Sequence, residues 1–247
     1  MGIAQEITTV DHVTSVMRWW HDAGVDGMID EQPRSWLAHA IAKSGQKSDP
    51  TFGRPAVVAA PKIEKPKSLE ALVDRLMTSD EFPELGPVQR RIAPAGDATS
   101  GLMVLTDLPE TADVESGQLF SAELAPLFEK MLGALGRDRH SIYLASLSTG
   151  RPPNGRLSPD ALKSLSEKAR DHVRFVAPKQ LWILGSTASC AILGMTDVAA
   201  HGKLHSVNLD GVMVDVVATA HPRVLDSKDK KARAWADMQR LIEKDDT

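Results

Sequence analysis

The sequence has little cysteine, few aromatic residues and no long apolar run. Cys190 is the only cysteine among 247 residues, which excludes a disulfide framework and a four-cysteine metal site within one chain. We expect Cys190, in the apolar stretch ASCAILG, to be buried as a small hydrophobic residue. No segment reaches the roughly 18 apolar residues that a membrane-spanning helix needs, and the N-terminal stretch MGIAQEITTVDHV has no signal-peptide core. These features predict a cytoplasmic protein without a membrane partner.

The charge balance excludes one class of nucleic-acid-binding protein. With 29 basic and 33 acidic residues the formal net charge is −4, so a basic coat over the whole surface is excluded, whereas a local basic groove is not. Apolar residues make up 42% of the chain. That fraction suffices for a sizeable core, in one large domain or in one domain with an appendage.

The first 67 residues differ in character from the rest. Apolar residues at helical spacing predict a helical N-terminal extension over residues 1–43. We expect this extension to pack onto the main body through its three tryptophans, Trp19, Trp20 and Trp36. A stacking platform for bases is a less favoured alternative role for them. Residues 44–67 are rich in Pro, Lys, Ser and Gly and predict a flexible linker, which leaves residues 68–247 as the main domain.

Strands and helices alternate in the main domain from about residue 90 onwards. The predicted strands, such as those in SGLMVLTDLP, SIYLASL and QLWILGS, are continuous apolar runs, and helical patterns separate them. This pattern predicts an α/β fold, a three-layer α/β/α sandwich around a central, mostly parallel four-stranded sheet. Sheets of this kind bind ligands at the carboxyl ends of their strands.

Four segments follow these strand ends, residues 106–109, 146–156, 185–187 and 221–223. Together they supply one carboxylate, one histidine, small polar residues and several arginines. That composition is typical of a site that binds a phosphodiester and performs acid–base or electrostatic chemistry beside it. The chain has no P-loop, no G-x-G-x-x-G before a helix, no G-x-S-x-G elbow and no H-E-x-x-H, which argues against the common nucleotide, hydrolase and zinc sites.

Taken one at a time, these segments are weak signals. The amide groups at the start of GSTA, with Ser186, can receive an anion, but a structural turn explains this stretch better. His221 and Pro222 precede a run of basic residues. A loop histidine with satisfied hydrogen bonds, followed by a solvated helix face, explains those residues alone slightly better than a functional site does.

The order of the segments is more informative than any one of them. Five blocks follow one another: TDLPE, SGQLFSAELAPLFEKML, YLASLSTGRPPNGRLSP, ILGSTASCAILG and ATAHPRVL. A tryptophan, Trp235, stands on the last predicted helix. In this order the sequence resembles the uracil-DNA glycosylase superfamily, most closely the thermophile-type (family 4) class that carries an iron–sulfur cluster. The resemblance covers roughly residues 90–244.

The resemblance implies an enzyme that flips a deaminated base out of DNA and hydrolyses its N-glycosidic bond. Asp107 matches the acidic residue that positions water, and His221 matches the histidine that stabilises charge on the leaving base. Phe120 matches the aromatic residue that stacks on the base, and Ser146 matches the asparagine that reads its edge. The residues expected to hold DNA phosphates are Arg151, Arg156, Ser186, Arg223 and Lys230.

The sequence departs from the family pattern at several positions. Gly150 stands where one cluster cysteine is expected and Ala169 near another, so we expect no iron–sulfur cluster, no metal and no other cofactor. The family's GEAPG reads TDLPE here, which removes two glycines. Ser146 offers a single hydroxyl where asparagine offers an amide donor and an acceptor, and this weakens discrimination of uracil.

Three functions fit these residues. The first is a cluster-free glycosylase that removes uracil or another deaminated base from DNA in base excision repair, as a monomer acting at the bacterial nucleoid. The second is a catalytically inactive relative that binds DNA or a repair protein. The third, less favoured, is a hydrolase of small nucleosides or other N-glycosides. The basic residues after His221 argue against it, because a small uncharged substrate needs no phosphate contacts.

Overall fold

The computed structural model describes residues 9–22, 66–81, 85–195 and 197–245. The chain divides into two compact units, Met1–Lys62 and Ile63–Thr247. The described part of the first unit is an amphipathic helix, α1 (Thr9–Asp22). Trp19 on α1 is 68% exposed. The packing of the N-terminal extension onto the main body stays a prediction. The side chain of Trp20, residue Trp36 and most of the predicted linker lie outside the described residues.

A six-stranded sheet forms the centre of the described part of the second unit. Its strands are β1 (Ala95–Gly96), β2 (Leu102–Thr106), β3 (Tyr143–Ser146), β4 (Gln180–Leu184), β5 (Leu204–Leu209) and β6 (Val212–Thr219). Their order across the sheet is β1-β3-β2-β4-β6-β5, in which β3, β2, β4 and β6 are parallel. The edge strands β1 and β5 are antiparallel to their neighbours.

The predicted α/β fold with a mostly parallel sheet is therefore confirmed, with two edge strands in addition. The sequence pattern did not indicate them because neither is a continuous apolar run. β1 has only two residues, and along β5 the side chains alternate between exposed and partly buried positions. Such alternation is typical of a strand with one face in solvent.

Helices cover both faces of the sheet. On one face lie α2 (Leu69–Thr78), α5 (Pro159–Val176), α6 (Ser186–Leu193) and α7 (Asp197–Ala200). On the other lie α4 (Ala125–Ala134) and α8 (Lys228–Asp245), and the short α3 (Thr111–Ser116) follows β2. The helix start expected before α5 is present, since the hydroxyl of its N-cap Ser158 accepts a hydrogen bond from the amide of Ala161 at 3.2 Å. Within the described residues, no helix is long and apolar enough to cross a bilayer.

The strands divide their side chains between two apolar layers. Along β4, Leu181 and Ile183 pack beneath α5 and α6, whereas Trp182 and Leu184 pack beneath α4 and α8. We call these sides the α5 face and the α8 face. All five residues of β4 are buried, as are all five of β2, because both faces are covered. This double burial explains why these strands are continuous apolar runs.

Cys190 is exposed on α6, and the expectation that it is buried was wrong. The apolar α6 residues that enter the core are Ala188, Ala191 and Ile192, which lie on one face of the helix. Cys190 falls on the opposite side. The apolar composition of ASCAILG indicated a core helix, but the rotation of that helix about its axis decided which residues point outward.

Candidate functional site

The carboxyl ends of four parallel strands lie side by side in the sheet. Register pairs Thr106 of β2 with Ser146 of β3 and with Leu184 of β4, and it pairs Leu184 with Thr219 of β6. The loops after these strands therefore meet at one edge of the sheet, as expected for a ligand site in a parallel sheet. Asp107 follows β2 directly, and His221 follows β6 after one intervening residue.

Asp107 is buried against the start of α6. Its side chain is 1% exposed, and Oδ1 accepts a hydrogen bond from the amide of Ala188 at 2.7 Å. Gly185 has a φ of 119°, and a Cβ at this position would overlap the carboxylate of Asp107. Glycine is thus required there both for its backbone conformation and for space. A negative charge is favourable at the N-terminus of a helix, so Asp107 joins the β2 loop to α6.

His221 is buried and neutral at physiological pH. Its side chain is 4% exposed, and Nδ1 accepts a hydrogen bond from the amide of Arg223 at 3.2 Å. Burial, together with a smaller effect of the Arg223 guanidinium, lowers the pKa of His221 to about 4, against opposite effects from Glu110 and Asp113. With Nδ1 accepting, the single proton of the neutral ring is assigned to Nε2. The site therefore contains an uncharged hydrogen-bond donor.

Phe120 forms a rigid aromatic platform beside His221. Its ring stacks on Phe128 at 4.2 Å between centroids and lies 5.4 Å from the ring of His221. The backbone of Phe120 has a φ of 51°, which is strained for a residue with a side chain. Arg139 holds this conformation by donating from Nη1 to the carbonyl of Leu119 at 2.8 Å and from Nη2 to that of Phe120 at 2.7 Å.

Ser146 ends β3 with its hydroxyl turned towards its own loop. The hydroxyl donates to the carbonyl of Ser148 at 2.7 Å, and that of Ser148 donates to the carbonyl of Gly150 at 2.6 Å. These two bonds shape the start of the RPPNGR loop. Because a hydroxyl has one proton and two lone pairs, the oxygen of Ser146 keeps acceptor capacity while its donor is used.

Two of the predicted phosphate-binding residues share one carboxylate. Arg223 Nη1 lies 2.8 Å from Glu110 Oε1, and Arg151 Nη1 lies 3.3 Å from Glu110 Oε2. Arg151 Nη1 also donates to the carbonyl of Pro109 at 2.6 Å. We call Glu110, Arg151 and Arg223 the Glu110 bridge. It connects the loops after β2, β3 and β6.

The other predicted DNA contacts lie on the surface. Arg156 is exposed on the RPPNGR loop, and Ser186 is exposed as the first residue of α6. Lys230 is exposed on α8, where its Nζ lies 3.0 Å from Asp226. These positions leave all three residues accessible to a ligand, and their role in DNA binding stays a prediction.

Three residues of the site were not indicated by the sequence. Besides Glu110, these are Asp113 and Arg139. Asp113 is 3% exposed, and its Oδ1 accepts from the amide and hydroxyl of Ser121 at 2.7 and 2.8 Å, while Oδ2 accepts from the amide of Glu110 at 3.0 Å. The spacing of Glu110 and Asp113 in ETAD is a local signal for a helix start, whereas nothing near Arg139 points to Phe120.

The position of the expected cluster cysteine is closed by another part of the chain. A Cβ on Gly150 would overlap the carbonyl oxygen of Leu85, so no cysteine fits there without a backbone shift. Ala169 and Leu85 belong to the same buried apolar layer on the α5 face. Within the described residues, no group of three His, Cys, Asp or Glu side chains is placed to hold a metal ion. These two positions therefore offer no thiolate ligand, and the absence of an iron–sulfur cluster stays a prediction.

Hydrogen bonds connect the segment between α2 and β1, which contains Leu85, to the loops that follow the strands. Arg91 is buried and donates from Nη1 to the carbonyls of Leu76 at 3.0 Å and Ser79 at 2.7 Å, at the end of α2. Thr149 donates its hydroxyl to the same Leu76 carbonyl at 3.3 Å, and its own carbonyl accepts from the amide of Ile92 at 2.7 Å. The segment between α2 and β1 therefore supports the start of the RPPNGR loop through these hydrogen bonds.

The structure is an α/β/α domain with a candidate site at the carboxyl edge of its sheet. An uncharged histidine lies beside an aromatic ring there, and a buried carboxylate follows a neighbouring strand. A comparison with protein-family models matches residues 93–239 to the uracil DNA glycosylase superfamily. Because this match covers more than half of the chain, the protein belongs to that superfamily. Its main domain is accordingly uracil-DNA glycosylase-like, and this superfamily is a class of DNA-repair hydrolases.

Proposed function

We propose that this protein is a cluster-free DNA glycosylase that hydrolyses the N-glycosidic bond of uracil or another deaminated base in DNA, in base excision repair. The observation that supports this best is the neutral His221, with its ring 5.4 Å from Phe120 at the same sheet edge as Asp107. Phe120 is 1% exposed, so the site must open for a flipped base to stack on its ring and meet the Nε2 proton of His221.

In this mechanism His221 acts on the leaving group. As the bond between the sugar C1′ and the base nitrogen breaks, the electron pair leaves with the base and negative charge develops on a base carbonyl oxygen. The Nε2–H of His221 donates a hydrogen bond to that oxygen. Because the site is buried, this hydrogen bond is stronger than it would be in water.

Asp107 acts on the other side of the breaking bond. Its negative charge stabilises the positive charge that develops on the sugar, and the carboxylate orients the water whose oxygen bonds to C1′. A carboxylate has about four lone-pair directions, so it can accept hydrogen bonds from water as well as from protein groups such as the Ala188 amide. The water loses a proton as its oxygen bonds to C1′, and the released base takes up that proton.

Ser146 sets how strictly the base is selected. Since its hydroxyl proton is donated to Ser148, its oxygen can accept a hydrogen bond from an N–H group on the edge of the base. Uracil, hypoxanthine and xanthine all carry such a group. We therefore expect a broad preference for deaminated bases rather than strict selection of uracil.

A catalytically inactive DNA-binding role is the second candidate, and specific contacts favour it. Asp107 caps α6, Ser146 donates to its own loop, and two predicted phosphate-binding arginines pair with Glu110. Each of these groups thus has a structural partner that would explain its presence without catalysis.

An abasic-site cleavage assay separates the two candidates. Single- and double-stranded oligonucleotides with one uracil, hypoxanthine or xanthine are incubated with the wild type, His221→Ala and Asp107→Asn. The asparagine keeps an oxygen for the Ala188 amide and removes only the charge, so this variant retains the helix cap. We expect base release by the wild type and its loss in both variants. Salt-sensitive DNA binding without release of any base would support the inactive role.

A further inference from the structure

Glu110 holds the two arginines of the Glu110 bridge with opposite oxygens of one carboxylate. Its Oε1 faces Arg223 at 2.8 Å and its Oε2 faces Arg151 at 3.3 Å. The two arginines come from different loops and point to one place. Guanidinium groups in this arrangement recognise carboxylates and phosphates by the same geometry, since both present two oxygens to planar N–H donors.

The bridge is accessible from solvent. The exposed fractions of the side chains are 24% for Glu110, 26% for Arg151 and 43% for Arg223. Glu110 and Arg223 also line a cleft of about 400 Å³, together with residues 111–112 and 121–124. Ser121 follows Phe120, and Arg223 follows His221 by two positions, so this cleft opens beside the proposed base site.

Glu110 is also the N-cap of α3, where its side chain and that of Asp113 form a capping box. Asp113 ties the β2 loop to the segment after Phe120, and the carbonyl of Pro109 holds Arg151 at 2.6 Å. Partly exposed ion pairs such as those of Glu110 contribute roughly 0–1 kcal/mol each. A glutamine at this position keeps an oxygen for the cap, so Glu110→Gln should leave the fold intact and alter the electrostatics of the cleft.

We infer that Glu110 occupies the place of a DNA phosphate: it is the internal counter-ion of Arg151 and Arg223, and a phosphate of the bound strand replaces it. This inference rests on the proposed function in one respect, namely that the ligand is DNA. Exchange breaks the two ion pairs of Glu110 and forms two pairs with the phosphate, while the Glu110 carboxylate keeps its place in the capping box of α3. Glu110 thereby weakens binding to every DNA strand. A strand that also places a flipped base in the protein gains additional contacts that offset this loss.

The test measures binding of an undamaged, labelled single-stranded oligonucleotide, so that base release does not interfere. Glu110→Gln is compared with Glu115→Gln, a matched control on the same helix, exposed and changing the net charge equally. We expect Glu110→Gln to bind about fivefold more tightly at low salt, with a salt slope steeper by about 0.7, because one more net positive charge faces the phosphates. We expect Glu115→Gln to stay within about twofold of the wild type.

A double-mutant cycle with Arg223→Gln locates the effect. In that background the gain from Glu110→Gln should shrink, because the two residues act as a pair. Equal affinities for Glu110→Gln and Glu115→Gln, or no detectable binding by any variant, would overturn the inference. Base release from uracil-containing DNA is measured separately. A gain in affinity without base release would support the phosphate site and contradict the enzymatic proposal.

Discussion

Two buried histidines lie on opposite faces of the same sheet, and burial lowers the pKa of each to about 4. His172 of α5 is 2% exposed on the α5 face, where its Nε2 lies 2.9 Å from the hydroxyl of Tyr143. His221 is 4% exposed at the carboxyl edge of the sheet, beside the aromatic layer of the α8 face. The pKa values of the two rings are lowered to a similar extent, although charged neighbours act on His221 and burial alone acts on His172. Their positions in the sheet give them different roles.

The surroundings of the two rings explain this difference. His172 lies beside a closed apolar layer that includes Leu85 and Ala169. His221 lies where three loops end, beside a platform of Phe120 and Phe128 and above the carboxylate network of Asp113. A shifted pKa is therefore a consequence of burial on both faces, and only geometry at the strand ends distinguishes a candidate catalytic group.

The largest expected effect separates the two histidines by activity. His221→Ala should slow base release by about 10²–10³-fold, as removal of a donor to developing negative charge does in other enzymes. His172→Gln should leave the single-turnover rate within about threefold of the wild type, since it contacts no reacting atom. Single-turnover release of uracil, measured on both variants, checks this. Similar losses in both variants would remove the distinction between the two faces.

The next largest effect is the pH dependence of the free energy of unfolding, which His172 controls in part. This ring is neutral when folded, whereas the unfolded chain binds a proton near pH 6.5. The contribution to stability is thus complete above pH 6.5 and is lost as the pH falls towards 4. We expect the wild type to lose about 3 kcal/mol more than His172→Gln over this range. Urea unfolding of both proteins at pH 7.5 and pH 4 measures the difference, and parallel curves would contradict a neutral, buried His172.

A third effect tests how tightly the α5 face is closed. Gly150→Ala should reduce the free energy of unfolding by about 1–3 kcal/mol, because the added methyl group overlaps the carbonyl of Leu85. Gly133→Ala is the control, since a Cβ at this exposed position of α4 meets nothing within 4 Å. It should stabilise the protein by about 0.5–1 kcal/mol. Thermal unfolding compares the two, and a neutral Gly150→Ala would mean that the Leu85 segment yields readily.

The smallest expected effect is on the pH dependence of activity. Because the pKa of His221 is about 4 and its neutral form is the donor, this group should not titrate between pH 5.5 and 8. The single-turnover rate of base release should therefore show no inflection near pH 6.5 in that range. An inflection at pH 6.5 that disappears in His221→Gln would show that His221 is solvated in the DNA complex.

The sequence by itself determined the class of fold and the family. Continuous apolar runs predicted the parallel strands because both faces of the sheet are buried, and the order of the blocks pointed to the superfamily that the family match confirms. The alignment of Asp107 and His221 with strand ends also followed from the sequence. The edge strands did not follow from the sequence, because short or alternating segments form strands only where a neighbour pairs with them. The outward side of α6 did not follow either, because the rotation of a helix about its axis depends on what packs against it.

Only the tertiary structure decided which distant residues meet at the site. Glu110 pairs with Arg151 and with Arg223, 113 positions further along the chain, because β2, β3 and β6 end at the same edge of the sheet. Arg139 supports the strained backbone of Phe120 across 19 positions for the same kind of reason. Patterns in a short stretch of sequence indicate which residues favour a helix, a strand or a turn. Ion pairs between loops depend on strand order, which is set when the whole sheet forms.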